Sequence, residues 1–222
     1  MRIKKVLIAE DHETANLSVQ KTLEDLGIAD PHYVFYCDDA LLKIQKAKQD
    51  NHPFDLLITD LSFEEDHSRQ KLSDGMALIT AARNVQPGLR VLVFSAEKKP
   101  AAIELLYEKY AIDGYVRKAR NDAQELKTAI QTIDKDQRYY PRYLKQLVGR
   151  KNAHEFTPYD VTVLTLLAQG MQQNEIPDHL RLLGIKPAGL STLEKRLNHI
   201  REVLDFSSNA QLIVYCKDMG IV

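Results

Sequence analysis

The chain has 222 residues, of which 44% are apolar, with a net charge of −1 and two cysteines. That apolar share supports a packed core and excludes global disorder, and the near-zero charge gives no overall signature for nucleic acid or membrane. Cys37 and Cys216 lie far apart, which argues against a disulfide framework or a cysteine metal site and fits a reducing cytoplasm. The length suits one large domain or two small ones. The N-terminal apolar run meets Glu10-Asp11 too soon for a signal peptide, and no stretch approaches the ~20 apolar residues of a membrane span.

The first part of the chain alternates strand and helix. Residues 3–9 read as a buried strand, and 15–26 as a helix with Leu17, Val19, Leu23 and Leu26 at helical spacing and Gly27 as C-cap. A short strand at 33–36 is followed by a helix through Ala40, Leu41, Ile44 and Ala47, with Asp38 or Asp39 as N-cap. Residues 56–59 form the third strand, apolar throughout and so buried on both faces. Ser73 or Asp74 opens a helix through Met76, Leu78, Ile79 and Ala82, which Pro87-Gly88 stops. Then come a strand at 90–94, a helix from Pro100 to about Tyr110, a strand at 113–116, and a helix through Leu126, Ile130 and Ile133 capped by Asn121 or Asp122. Five β-α units in about 135 residues predict a doubly wound parallel sheet.

The second part is helical. Residues 135–155 are polar and tyrosine-rich and read as a linker with a short helix at 142–148. Helices are predicted at 158–169, with Thr157 as N-cap and Pro158 in the first turn, at 174–182, at 191–204 and at 208–219. The domain reading is therefore 1–134, a linker over 135–155, and 156–222. No internal repeat or low-complexity run interrupts this plan.

The polar residues at the strand ends carry chemistry. Glu10-Asp11, Asp60, Ser95 and Lys118 each close an apolar run, and in a parallel sheet that edge is where ligands bind. Three carboxylates brought close repel one another unless a cation lies between them, and a hard ion such as Mg²⁺ suits oxygen ligands. Lys118 adds a positive point charge and Ser95 a hydroxyl donor. These are the parts of an aspartyl phosphate site: a carboxylate nucleophile, a metal, and a cation with a donor for the phosphoryl oxygens.

With Glu10-Asp11, Asp60, Ser95-Ala96, Gly114-Tyr115 and Lys118 in this order, residues 1 to about 130 resemble a response-regulator receiver domain, of flavodoxin-like fold. The resemblance implies that Asp60 accepts a phosphoryl group from a histidine kinase. It implies that Asp11, Asp60 and the carbonyl of Ser62 ligate Mg²⁺, with Glu10 acting through a bound water. Ser95 and Tyr115 would form the switch pair, and Lys118 would hold the phosphoryl group. The chain departs from the family in lacking Met-Pro after the aspartate, in a long acidic stretch over 63–73, and in having no proline after Lys118. His12 is expected to be a solvated first-turn residue.

Residues 156–222 resemble the four-helix, LuxR/NarL-type helix-turn-helix module, on Phe156-Thr157-Pro158, Val163-Leu164, Leu166-Leu167-Ala168, Gly170, Glu175-Ile176, Ser191-Thr192-Leu193, Ile200 and Gly220-Ile221. The order of receiver, linker and module resembles the capsule-regulating branch. By this resemblance 191–204 is the recognition helix, with Thr192, Lys195, Arg196, His199 and Arg201 outward toward promoter DNA. The implied protein is a transcriptional regulator, not an enzyme, acting as a homodimer when phosphorylated. Yet 156–222 holds six Lys/Arg against seven Asp/Glu, whereas DNA-binding modules draw affinity from a positive excess. The turn over 183–190 is also long. Both features favour the alternative, a module that binds a protein partner. A metal-dependent phosphatase finds no second nucleophile or further ligand motif.

Overall fold

Strand ends in this chain are set by where backbone N–H groups find partners. In the computed structural model, which describes residues 2–28, 31–64, 70–142, 144 and 154–222, β1 covers Val6–Ala9 and not 3–9. The N–H groups of Arg2 and Ile3 go to Asp134 Oδ1, and those of Lys4 and Lys5 to Asp55 Oδ2, so the N–H groups of residues 2–5 are lost to the ladder, although the Lys5 carbonyl still accepts from Asp55 N–H at 2.9 Å. The elements that follow are α1 Glu13–Asp25, β2 His32–Val34, α2 Cys37–Gln49, β3 Leu56–Thr59, α3 Gly75–Val85, β4 Arg90–Ser95, α4 Pro100–Lys109, β5 Gly114–Arg117 and α5 Asp122–Ile133. β2 stops at Val34 because Tyr36 already serves as the extended N-cap of α2. Neither Asp38 nor Asp39 caps that helix; both lie in its first turn. Asp74 does cap α3, its Oδ1 accepting from Ala77 N–H at 2.8 Å. Asn121 is the N-cap position of α5, though its side chain makes no cap bond.

Two compact units divide the chain, Met1–Lys98 with Ala102–Pro141, and Lys99–Ala101 with Arg142–Val222. The first is a five-stranded parallel sheet of order β2-β1-β3-β4-β5. Alternate residues of each strand face opposite ways. Val6, Ile8, Leu56, Ile58, Leu92, Phe94 and Val116 pack with Val19 and Leu23 of α1 and Leu126, Ala129, Ile130 and Ile133 of α5. Leu7, Ala9 and Leu57 pack with Ala40, Ile44 and Ala47 of α2 and Leu78 and Ala82 of α3. The sheet is thus doubly wound, and its order reverses between β1 and β3.

The start of the expected linker is built into this unit. Tyr139 N–H donates to the Asp113 carbonyl at 2.9 Å, Tyr107 Oη donates to the Tyr139 carbonyl, and the Tyr107 and Tyr140 rings stack at 4.3 Å. The expected helix at 142–148 lies, but for Arg142 and Leu144, outside the described residues.

The second unit contains α6 Pro158–Ala168, α7 Ile176–Leu182, α8 Leu190–Val203 and α9 Asn209–Asp218. Thr157 caps α6 through a reciprocal capping box with Asp160. Pro177 sits in the first turn of α7, which starts at Ile176 and not at Asn174. Val163, Leu164, Ile176, Leu180, Leu193, Leu197, Ile200, Leu212 and Cys216 form one buried core. Among the described residues no helix is long and apolar enough to cross a membrane.

Candidate functional site: an acidic pocket at the sheet switch point

The register of β1 and β3 places the acidic residues side by side. Ala9 pairs with Thr59, and the ladder continues one step through Asp60 N–H to the Ala9 carbonyl at 3.1 Å. Glu10 and Asp60 therefore leave the sheet on adjacent strands, one strand spacing of about 4.8 Å apart. β5 delivers Lys118 the same way, its N–H bonded to the Ser95 carbonyl at 2.8 Å. This is the reversal point of the sheet order, the edge at which open α/β sheets bind ligands.

The side chains converge there. Lys118 Nζ lies 2.6 Å from Asp60 Oδ2 and 2.8 Å from the Glu10 carboxylate. Asp60 is 4% exposed and Glu10 1%, so both charges depend on that ammonium. Asp60 Oδ1 accepts from Leu61 N–H at 2.6 Å. Burial pushes the Glu10 carboxyl above its ordinary value, against the pull of Lys118. For Lys118, burial works to lower the value, and the hydrogen bonds to Asp60 and Glu10 outweigh it, so the ammonium is held on. Ligand atoms of Glu10, Asp11, His12 and Asp60 all lie within 4.8 Å of one another. Asp60, Ser62, Ser95 and Lys118 line one cavity of about 510 Å³ together with Thr14 and Ser18 of α1.

Two further residues border the site. His12 is 55% exposed, but its Nδ1 lies 2.9 Å from Asp11 Oδ1, and that contact raises its basicity. It is solvent-exposed as expected, but it stands at the N-cap position of α1 and not in its first turn, and it borders the acidic cluster. Tyr115 is fully buried, and its one hydroxyl proton is shared between the carbonyls of Glu97 (2.5 Å) and, at longer range, Ser95 (3.2 Å). Serine and tyrosine are thus joined through backbone on β4.

Gly75 escaped the sequence reading as more than part of a cap. Its N–H donates to the Leu61 carbonyl at 2.9 Å, and a Cβ there would lie 1.9 Å from the Asp60 carbonyl oxygen. Only glycine lets α3 start against the backbone of Asp60. The signal available in the sequence was an Asp-Gly pair opening an apolar helix after a polar run.

The helical unit corrects the outward set on α8. Thr192, Lys195 and His199 are exposed. Arg196 is turned inward: Nε lies 2.7 Å from Asp160 Oδ1, and a terminal nitrogen 2.7 Å from Oδ2. The Asp160 side chain is fully buried and that of Arg196 is 34% exposed. Burial works against ionisation of Asp160, yet Arg196 and the Thr157 N–H and hydroxyl hold its carboxyl below the ordinary value. Arg201 is half-buried and donates to the Ser207 carbonyl and to Asn198 Oδ1. Both arginines are committed within the module because residues 196 and 201 flank the core stripe of Leu193, Leu197, Ile200 and Leu204.

Comparison with known proteins agrees with this architecture. The Fimbriae Z protein of Salmonella typhimurium is 25% identical over 229 residues, covering 98% of each chain. The two-component response regulator RcsB in complex with DNA shares the fold over 97% of this chain and 98% of its own, at 22% identity and a TM-score of 0.60. A structure of Salmonella typhimurium RcsB aligns over 98% of this chain and 99% of its own, at 22% identity and a TM-score of 0.59. The family model of the response regulator receiver domain matches residues 6–131, more than half of the sequence. This chain belongs to the response regulator receiver family.

Proposed function

We propose that Asp60 is the phosphoacceptor of a response regulator that takes its phosphoryl group from a sensor histidine kinase and controls transcription by binding promoter DNA as a homodimer. The observation that carries this reading is the buried Asp60 carboxylate at the β1/β3 switch point, within 2.6 Å of Lys118 Nζ and beside Glu10 and Asp11. An oxygen of Asp60 forms the new P–O bond while the P–N bond to the donor imidazole breaks. The electron pair stays on the imidazole, which takes up a proton. Lys118 pairs with a phosphoryl oxygen in place of one carboxylate, and the Ser95 hydroxyl donates to another.

The carboxylate oxygens, gathered within 4.8 Å, fit a hard divalent ion. Asp11, Asp60 and the Ser62 carbonyl would hold Mg²⁺, with Glu10 behind a water, and the ion would neutralise charge on the phosphoryl oxygens. Because Tyr115 Oη is bonded to the Ser95 and Glu97 carbonyls, a shift of Ser95 toward a phosphoryl group alters what holds that ring. This is a bistable element biased by a local charge change. RcsB, which shares the fold along nearly the whole chain, has been solved bound to DNA, and that supports DNA as the output ligand. Thr192, Lys195 and His199 are then the contacts available from α8.

The second reading, a module that binds protein, is favoured by the two committed arginines and by Leu182 and Leu183, which are 85% and 55% exposed. One experiment separates the two. The phosphorylated protein should bind its own promoter region with an affinity that falls steeply with salt, and Lys195→Ala should weaken that binding. Salt-insensitive or absent binding favours the protein partner.

A further inference from the structure

The stretch between β3 and α3 is longer than the family norm and leads directly away from Asp60. A long connection leaves its ends free to wander unless something fixes them. Among the described residues, an anchor lies near Asp60: Glu64 N–H donates to Asp11 Oδ2 at 2.6 Å. A second anchor lies at the far end. Asp38, in the first turn of α2, accepts from Lys71 N–H at 2.8 Å through Oδ2 and from Leu72 N–H at 3.0 Å through Oδ1. Both oxygens of one carboxylate are thus used on consecutive amides of the loop, 33 and 34 residues away in sequence.

The consequence for Asp60 follows along the chain. Leu72 packs against the buried cluster between the sheet, α2 and α3. Two residues on, Asp74 caps α3. Gly75 then donates to the Leu61 carbonyl, its Cα so near the Asp60 carbonyl that no side chain fits. Leu61 in turn donates its N–H to Asp60 Oδ1. Asp38, the 71–75 segment, Leu61 and Asp60 form one continuous set of bonded neighbours. An aspartate in a first helical turn normally serves the helix dipole, and Asp39 next to it is exposed and can do that. Asp38 is turned to the loop instead.

We propose that Asp38 is a positioning residue for the phosphoacceptor loop: it fixes the 71–75 segment and thereby the orientation of Leu61, Ser62 and Asp60 that metal binding and phosphoryl transfer require. The proposal rests on the reading of Asp60 as phosphoacceptor. Partners that orient metal ligands from behind typically change metal affinity about 10- to 100-fold when removed. Asp38→Ala should therefore weaken Mg²⁺ binding about 10-fold. It should also speed hydrogen exchange at the Leu61, Leu72 and Gly75 amides in the full chain.

Asp39→Ala is the control. It removes the same charge from the same helix turn, and should leave Mg²⁺ affinity and those amides as they are in the unsubstituted protein. Asp38→Asn keeps one acceptor oxygen and should fall between the two; if the alanine variant does not fold, the asparagine variant carries the comparison. A lower melting temperature with unchanged Mg²⁺ affinity and unchanged exchange overturns the proposal and leaves Asp38 a helix residue. Equal effects from Asp38→Ala and Asp39→Ala overturn it as well. Absence of Mg²⁺ binding by the unsubstituted protein would refute the phosphoacceptor reading, while exchange at Gly75 and Leu61 would still show whether Asp38 holds the loop.

Discussion

Replacing Arg196 by alanine should destabilise the helical module before it affects any DNA contact. The substitution removes both nitrogens that face Asp160 and leaves a fully buried carboxylate to the Thr157 N–H (2.9 Å) and hydroxyl (2.8 Å), with His154 Nε2 farther off at 3.8 Å. Removing one member of a fully buried pair costs about 3–5 kcal/mol. Because the Arg196 side chain is a third exposed and Thr157 still serves the carboxylate, about 2–3 kcal/mol is the appropriate scale. For a module of this size that lowers the melting temperature by roughly 10–20 °C. The assay is thermal unfolding of the full chain followed through the helical unit, with Asp160→Ala and the double variant completing a cycle. The coupling between the two residues should account for much of the single losses. The same pair sets an acid limit. Asp160 is held below its ordinary value, so its contribution is complete above the unfolded carboxylate range and is lost as pH falls through the folded value. An Arg196→Ala protein that melts like the unsubstituted one but has lost DNA affinity would refute this reasoning and restore Arg196 as an outward contact.

Gly75→Ala should cost about 3 kcal/mol, because the obstacle 1.9 Å from the new Cβ is the Asp60 carbonyl, which cannot move without displacing the site. Receiver unfolding checks this, and a loss below about 1 kcal/mol would contradict the close approach. The His154 side chain is 7% exposed, with Nε2 3.8 Å from Asp160 Oδ2, and burial, then the charge of Arg196, holds it below the ordinary histidine value. Its contribution is therefore present above that ordinary value and lost as pH falls through the lower folded one. The module's melting temperature should fall on mild acidification, and His154→Leu should flatten that slope; an unchanged slope rejects the assignment.

Much of the receiver was legible because its chemistry sits where an apolar strand ends. The ends of β1, β3, β4 and β5 are marked in sequence by Glu10, Asp60, Ser95 and Lys118, and a parallel register aligns them without further information. The order of the strands and the family match agree with that reading. What stayed hidden depends on partners far away in the chain. Asp38 read as a cap because its partners are 33 and 34 residues on. The resemblance to a recognition helix implies an outward Arg196, and nothing local in the sequence marks its partner Asp160, 36 residues away. The Thr157–Asp160 capping box does have a sequence signature, and a carboxylate there needs a cation once it is buried. The start of β1 was overextended because side chains of Asp55 and Asp134 took the N–H groups of residues 2–5.

The central claim is that Asp60 is the residue phosphorylated. Incubation of the full chain with acetyl phosphate and Mg²⁺, followed by intact-mass measurement, tests it directly. The unsubstituted protein should gain one phosphoryl group that is labile to base, and the Asp60→Asn protein should gain none. Label that persists in the Asp60→Asn protein would contradict the account.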